Sequence, residues 1–426
     1  MKVIRNGEKM FNKKIIKTVA LVMAMLTVFS LVSCTQGDIS DHPDTSGQAD
    51  TTSGVADTTA GEETTAEPAD KTVKLTFIAA GDNIGHENVY TDALNRATET
   101  SLEYNFVPMY NDIAPLIGNA DIAFINQETM MADKSVSGGR YTGYPDFNSP
   151  QDMGRSLVEL GFDIVNIASN HMLDYGNAGL EGTIDFFDTQ PVMQIGGYRD
   201  REDFENIRIY EQDGIKIAML SFGFINYSKL QYRENEPYIP DINNEEDIIF
   251  QINAAKEVAD LIFVSMHWDE TNEGSFTVSS KQRRLAQLLA DNGVDVVIGH
   301  HPHVLQEMKW VERDDGSRML LIYSLGNLIS TMQYGKFMVG GLATFNIIKE
   351  AGEEPYIDSP KLIPTITHYN MSRRGLQVYQ LENYDENLAA AHGCLEYDPG
   401  FTYERAIGYV TDNVSKEFLP EFYQDK

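Results

Sequence analysis

From Val73 onward, short apolar runs alternate with longer amphipathic stretches. Runs of strand length fall at Val73–Ala80, Asp121–Gln127, Phe162–Ser169, Leu261–Met266, Val294–Ile298 and Met319–Tyr323. Between them, apolar residues recur at helical spacing over Ser149–Leu160, Asn177–Phe187, Glu245–Val258 and Val278–Asp291. This alternation predicts an α/β fold with buried strands. Asn206–Glu211 and Ile215–Phe222, joined through Asp213-Gly214, predict a hairpin attached to the sheet. No internal repeat is present.

Each apolar run stops at a residue able to bind a metal or move a proton. The run ends are Gly81-Asp82, Glu128, Asn170-His171, His267, Gly299-His300-His301-Pro302-His303 and Ser324-Leu325-Gly326-Asn327. In open α/β sheets, ligands bind outside the carboxyl ends of the strands, so these loops are expected to converge on one site.

The first residues read differently. Lys13, Lys14 and Lys17 precede an apolar run from Val19 to Val32, which ends Leu31-Val32-Ser33-Cys34. The run has signal-peptide length and is short for a membrane span. Its end resembles the bacterial lipobox, in which the leader is cut before a Cys that takes a diacylglycerol; the alternative is an ordinary signal peptide or short anchor helix. The reading gives a lipoprotein signal peptide over 1–33, with lipidation at Cys34. Residues 34–71 are rich in Thr, Asp, Glu, Gly and Ala and bury too little apolar area to offset ordering entropy. They are expected to form a disordered acidic tether. A domain over 72–375 and a C-terminal extension over 376–426, expected to be helical, complete the organisation. The implied localisation is extracytoplasmic, lipid-anchored to the cell membrane.

Charge narrows the partners. The chain holds 33 basic and 64 acidic residues, a net charge of −31. Removing the leader's six basic residues and one acid takes −31 to −36. Such a surface repels phosphates, so nucleic acid is not expected as a partner. Two cysteines are too few for a disulfide framework or a Cys-based zinc site, and with Cys34 acylated Cys394 has no partner.

Six of the nine histidines lie in the strand-end loops: His86, His171, His267, His300, His301 and His303. Proline favours extended geometry in the residue before it, and side chains at i and i+2 of an extended chain share a face. His301 and His303 are therefore expected to offer two imidazoles to one cation or two adjacent ones, with His300 pointing elsewhere. Singly, Gly81-Asp82 is an ordinary turn and His267 an ordinary core histidine. Together, two carboxylates, an amide and three or four imidazoles suit divalent ions such as Zn, Mn or Fe.

The ordered series Gly81-Asp82, Asn126-x-Glu128, Ser169-Asn170-His171-x-x-Asp174-Tyr175-Gly176, His267-Trp268, Gly299-x-His301-Pro302-His303 and Tyr323-Ser324-Leu325-Gly326-Asn327 resembles the CapA (PgsA) family of poly-γ-glutamate capsule synthesis. That family is similar to the calcineurin-like metallophosphoesterases. The resemblance covers roughly residues 73–350 and implies a metallo-dependent phosphatase-like, four-layer α/β/β/α sandwich with two divalent metal ions. It implies that Asp82 is a ligand of the first metal, Glu128 the bridging carboxylate and Asn170 the amide ligand of the second. His267, His301 and His303 would be the remaining ligands, with His86 a less certain one. His171 would protonate a leaving oxygen, and Asp174 would orient it or cap the following helix. Asn327 reads as a loop brace. Where the family has His-Trp-Gly-x-Glu, this chain has His267-Trp268-Asp269-Glu270-Thr271. Asp269 thus adds a carboxylate, and Glu270 or Glu273 is left to replace the expected acid.

Two functions follow from the resemblance. One is a metal-dependent hydrolase acting on a phosphoester or a cell-surface polymer. The other is a non-catalytic, polymer-binding accessory of a poly-γ-glutamate synthesis and export complex. In either case the partners are the membrane, polymer synthesis and export proteins, and an anionic polymer.

Overall fold

The computed structural model describes residues 72–99, 102–225, 236–269 and 273–426. The leader over 1–33, Cys34, the tether over 34–71, Glu270 and Thr271 lie outside these residues. Among the described residues, no helix is long and apolar enough to cross a membrane.

Two sheets form. In the first, β1 (Val73–Asn83), β2 (Ile122–Gln127), β3 (Ile164–Asn166) and β4 (Met193–Ile195) run parallel in that order. On the other side of β1, β12 (Val339–Lys349), β13 (Tyr356–His368) and β14 (Gln377–Gln380) continue antiparallel, and the short β11 (Asn327–Ile329) pairs with the end of β1. The second sheet has the order β5 (Ile209–Gln212), β6 (Ile215–Gly223), β7 (Leu261–His267), β8 (Val296–His300), β10 (Arg318–Ile322) and β9 (Met308–Glu312). Its four central strands are parallel, and β5 and β9 are antiparallel edges. The expected hairpin is β5–β6, turned by Asp213 at φ 51 and Gly214 at φ 77, the left-handed pair that a tight hairpin turn needs.

Side-chain alternation shows how the sheets stack. Ile217, Met219, Phe263, Val296, Ile298 and Leu320 join one core with Phe77 and Phe124 of the first sheet. Phe77 meets Phe263 edge-on at 5.3 Å and stacks on Phe345 at 4.8 Å. The alternate residues Ala218, Leu220, Ile262, Val264 and Val297 pack instead against Ile248 and Ile252 of α6 (Glu245–Lys256) and Leu285 and Leu289 of α7 (Ser280–Asp291). The first sheet is covered by α1 (Glu87–Arg96), α2 (Ala114–Asn119), α3 (Gln151–Leu160) and α4 (Gly176–Asp188), which bury Val89, Ile117, Leu157 and Leu180. A short α5 (Arg201–Glu205) precedes β5. Helix, sheet, sheet, helix is the four-layer arrangement that the resemblance implied.

Helix starts follow local chemistry. Asn244 accepts from the Asp247 amide at the start of α6, and Ser279 forms a reciprocal capping box with Gln282 at α7. The third apolar run is a strand only over Ile164–Asn166. There the Asn166 side chain accepts from the Ala168 amide at 3.2 Å and turns the chain out of the sheet. Strands β12 and β13 were not expected from the apolar runs. The segment from 376 begins with β14, an edge strand, followed by α8 (Glu386–Ala391) and α9 (Tyr403–Thr411). It buries Cys394, Phe401, Val410 and Tyr423 in the first core, and Cys394 is a free thiol.

Candidate metal centre

The carboxyl ends of β1, β2, β7 and β8 meet at one point. Asp82 ends β1 beside Gly81, whose backbone lies so close to the β10–β11 loop that an added Cβ would meet Gly326 O at 2.0 Å. Glycine at 81 is what lets Asp82 N donate to that carbonyl at 2.9 Å. Glu128 follows β2, His267 ends β7, and His300 ends β8 ahead of His301 and His303. All six side chains are buried.

Asp82, Glu128 and His267 each offer a ligand atom within 4.8 Å of the others. The His267 ring lies 5.0 Å from His301, and His301 lies 5.6 Å from His303. Nδ1 of His303 is 3.1 Å from Asp82 Oδ2, and its Nε2 is 3.5 Å from Glu128 Oε1. Several buried atoms here have no hydrogen-bond partner: Glu128 Oε2, His267 Nδ1 and both ring nitrogens of His301. Buried polar atoms are normally satisfied, because leaving one unpaired costs about 1–3 kcal/mol. The unpaired atoms are carboxylate oxygen and imidazole nitrogen, the donor types that a divalent cation takes, and the residues fit such an ion.

Protonation fits the same reading. Burial, then the neighbouring His301 charge, holds the His267 imidazole well below its usual value. Burial, then His303, lowers His301 to about 3. Both are therefore neutral near pH 7, the form that ligates metals. Burial, with Asp82 beside it, pushes Glu128 up to about 7 despite His303 and His171. Burial alone would raise Asp82, but His300 and His303 overcome it and hold the carboxyl well below the usual range. Burial opposes the charge on His303, yet Glu128 and Asp82 win and raise it to about 10. The His303 imidazolium thus sits between Asp82 and Glu128 in the absence of an ion, and it would have to give up its proton to ligate a cation there.

The expected extended geometry at His301-Pro302-His303 is wrong. His301 has φ 92 and His303 has φ 57, left-handed values that cost a non-glycine residue strain. The two rings still approach each other, but a tight turn brings them together. It is held by His301 N donating to Asp82 Oδ2 at 3.3 Å and by His303 Nδ1 at 2.9 Å from Asn327 Oδ1. His300 does not simply point away: it stacks on Phe124 of the other sheet, with Nδ1 3.3 Å from Asp82 Oδ1.

Around the centre lies a brace that the apolar pattern did not reveal. Asn126 donates to Asp82 Oδ1 at 2.8 Å, Asn166 donates to Asn126 Oδ1 at 2.7 Å, and Ser221 donates to Asn166 Oδ1 at 2.5 Å. Asn166 ends β3 and Ser221 is a buried polar residue near the end of β6, and a polar residue at those strand ends was the available signal.

Asn170 reaches the centre through His267: its Oδ1 lies 2.9 Å from Nε2, which leaves Nδ1 as the bare nitrogen. His171 Nδ1 lies 2.9 Å from Asp174 Oδ2. A carboxylate can only accept, so Nδ1 carries the proton and Nε2 is left for chemistry. The same Asp174 oxygen accepts from Phe147 N at 2.8 Å, and the Phe147 ring contacts His171 at 4.7 Å and His86 at 5.3 Å. His86 opens α1, and Thr331 N donates to its Nδ1 at 3.4 Å. Asp269 is paired with Lys281 at 2.8 Å, so the added carboxylate is already engaged.

Residues 76–332 match the family described as bacterial capsule synthesis protein PGA_cap. The chain belongs to that family. It is 28% identical over 270 residues to the capsule biosynthesis protein CapA of Bacillus anthracis, covering 60% of each chain. It is 29% identical over 194 residues to the PGA biosynthesis protein CapA of Bacillus subtilis, covering 45% of this chain and 49% of that one. The chain thus spans about half to three fifths of the length of these relatives. A solved structure of a putative 5'-nucleotidase from Staphylococcus aureus aligns with a TM-score of 0.43 and 13% identity, over 68% of this chain and 54% of that one. A likeness that low carries no weight for the reaction. Asp82, His86, Glu128, Asn170, His171, Asp174, His267, His301 and His303 all lie inside the family match.

Proposed function

We propose that this protein is a metal-dependent hydrolase, anchored outside the cytoplasm by a lipid on Cys34, that acts on a cell-surface polymer or phosphoester during capsule or poly-γ-glutamate synthesis. The observation that carries the reading is the set of unpartnered buried donors on Glu128, His267 and His301 around Asp82. The descriptions of the two Bacillus relatives as capsule and PGA biosynthesis proteins support the polymer side.

Asp82, Glu128, His267, His301 and His303 would hold two divalent ions of the Zn, Mn or Fe type, with Asn170 and His86 at their edges. Such ions supply Lewis acidity and make water acidic enough to attack at neutral pH. Asn126 and Asn327 fix the angles of Asp82 and His303. His171, with its Nδ1–H held by Asp174, would protonate the leaving oxygen from Nε2 when the ring is doubly protonated, and return to the neutral ring.

The test is metal content and turnover of the detergent-solubilised full chain. Wild-type protein should carry divalent metal and cleave a generic phosphodiester or a γ-glutamyl amide; Asp82→Ala and His301→Ala should lose both properties. A folded wild type with near-zero metal after exposure to Mn, Zn and Fe sinks the proposal. Tight binding of poly-γ-glutamate without any turnover would support the accessory role instead.

A further inference from the structure

The turn between β13 and β14 reads Asn370-Met371-Ser372-Arg373-Arg374-Gly375. Asn370 Oδ1 accepts from Ser372 N at 2.9 Å and Arg374 N at 3.1 Å, and Arg373 takes the left-handed φ of 53. The turn is tied to α1. Arg374 Nη1 donates to Asn88 Oδ1 at 3.2 Å, Asp92 accepts from the Gly375 and Leu376 amides at 3.1 and 3.0 Å, and Arg96 donates to Leu376 O at 2.7 Å. Helix α1 begins immediately after His86, whose ring touches Phe147, which touches His171. The ties on α1 therefore put the turn that carries Arg373 beside the His86 end of that helix.

Arg96, Arg155, Arg199, Arg201, Arg208, Arg284 and Arg405 all pair with carboxylates of this acidic chain. Arg373 is one of several arginines, with Arg140, Arg283, Arg313, Arg318 and Arg374, that form no ion pair among the described residues. Its guanidinium lies over the Tyr397 ring at 5.2 Å, a contact that orients the group without neutralising it. A protein of net charge −31 repels a polyanion over most of its surface, so an anionic substrate needs a local cation at the place of entry.

We infer that Arg373 receives an anionic group of the substrate, a carboxylate or a phosphate flanking the cleaved bond, at the mouth of the Asp82 cleft. The inference rests on the proposed reading of that cleft as the seat of chemistry. It also gives the segment after 376 a role, since Tyr397 supplies the platform for the guanidinium. A planar fork of donors suits either oxyanion, and preorganisation on an aromatic face lowers the ordering cost of binding.

The test is isothermal titration of the metal-loaded full chain with tri-γ-glutamate, with inorganic phosphate, and with the fully methylated ester of the peptide. Arg373→Gln should bind one or both anions about tenfold more weakly, as expected for loss of one charge-assisted contact. Arg373→Lys should stay within a few fold of wild type, and the neutral ester should bind alike in all three. Which anion responds distinguishes a carboxylate polymer from a phosphoester. Tyr397→Leu should show a smaller loss in the same direction. Anion affinity unchanged in Arg373→Gln, an equal loss for the ester, or no anion binding by wild type would each overturn the inference. Binding needs no turnover, so the two proposals fail separately. A protein that binds through Arg373 but hydrolyses nothing refutes only the hydrolase. One that hydrolyses its anionic substrate with an unchanged KM in Arg373→Gln refutes only the subsite.

Discussion

Asn126 donates its side-chain amide to Asp82 Oδ1 across 2.8 Å, and both groups are fully buried. The bond fixes one carboxylate oxygen and leaves Oδ2 to face His303. Behind it, Asn166 and Ser221 pass the constraint to the second sheet. Replacing Asn126 by Leu strands the Asn166 amide and leaves Asp82 Oδ1 with His300 Nδ1 alone. The expected loss is about 1–3 kcal/mol of stability and about 10–100-fold in metal affinity. Denaturant melts and metal titration measure the two separately, and an unchanged metal affinity would remove Asn126 from the site.

Metal removal should lower the melting temperature. A ligand at about a hundred times its Kd stabilises by about 2.7 kcal/mol, so chelation of wild type should give a clear downward shift in a thermal scan. His301→Ala should start lower and show no further shift. If chelator moves wild type and His301→Ala equally, the ion binds elsewhere.

Asp174→Asn should cut kcat by about a hundredfold or more while KM stays near wild type, since an amide lacks the carboxylate charge that favours the protonated His171 ring and can turn its NH2 to Nδ1. Steady-state kinetics on a chromogenic phosphodiester separates the two parameters. A change in KM alone would instead assign Asp174 to the Phe147 loop that it also holds.

Gly81→Ala should be poorly tolerated, because its Cβ would meet Gly326 O at 2.0 Å and neither backbone can yield without shifting Asp82. The cost of forced overpacking is about 1–3 kcal/mol. Metal content should fall with it. A variant as stable and as metal-rich as wild type would show that the two loops are freer than their contact implies.

His392 gives an acid sensitivity far from the centre. Its Nε2 donates to Thr367 O at 2.9 Å while Nδ1 accepts from Cys394 N at 2.9 Å, so the ring has no place for a second proton. Burial lowers it to about 3; the Thr367 bond opposes and His368 assists. The unfolded chain takes up that proton below about 6.5. The histidine's stabilising effect is therefore complete above 6.5 and is lost as pH falls toward 3. The slope is up to about 1.4 kcal/mol per pH unit. Between pH 6.5 and 4.5, wild type should lose stability more steeply than His392→Gln. Parallel curves would contradict this.

Much of the centre was legible because its signal is local. The length of an apolar run and the residue that ends it are properties of neighbouring positions, so Asp82, Glu128, His171, His267 and the 300–303 histidines could be picked out one loop at a time. Asn166 and Ser221 could not, since a lone polar residue in a strand gains meaning only from the partner it meets 55 residues away. The pairing of β12 with β1 is long-range and left no local signal, whereas β12 and β13 form a hairpin that turns between Lys349 and Tyr356.

The residue types and their order along the chain determined which donors exist and that strand ends carry them. The tertiary structure alone decided that the strands divide into two sheets facing each other, so that His267 and His300 of one meet Asp82 and Phe124 of the other. It also decided that His301 and His303 converge through a left-handed turn. Local sequence biases φ and ψ by small amounts. The close approach of Gly81 to Gly326, and the contacts of Asp82 and Asn327 with the 301–303 segment, over-determine that turn and outweigh the proline's extended preference.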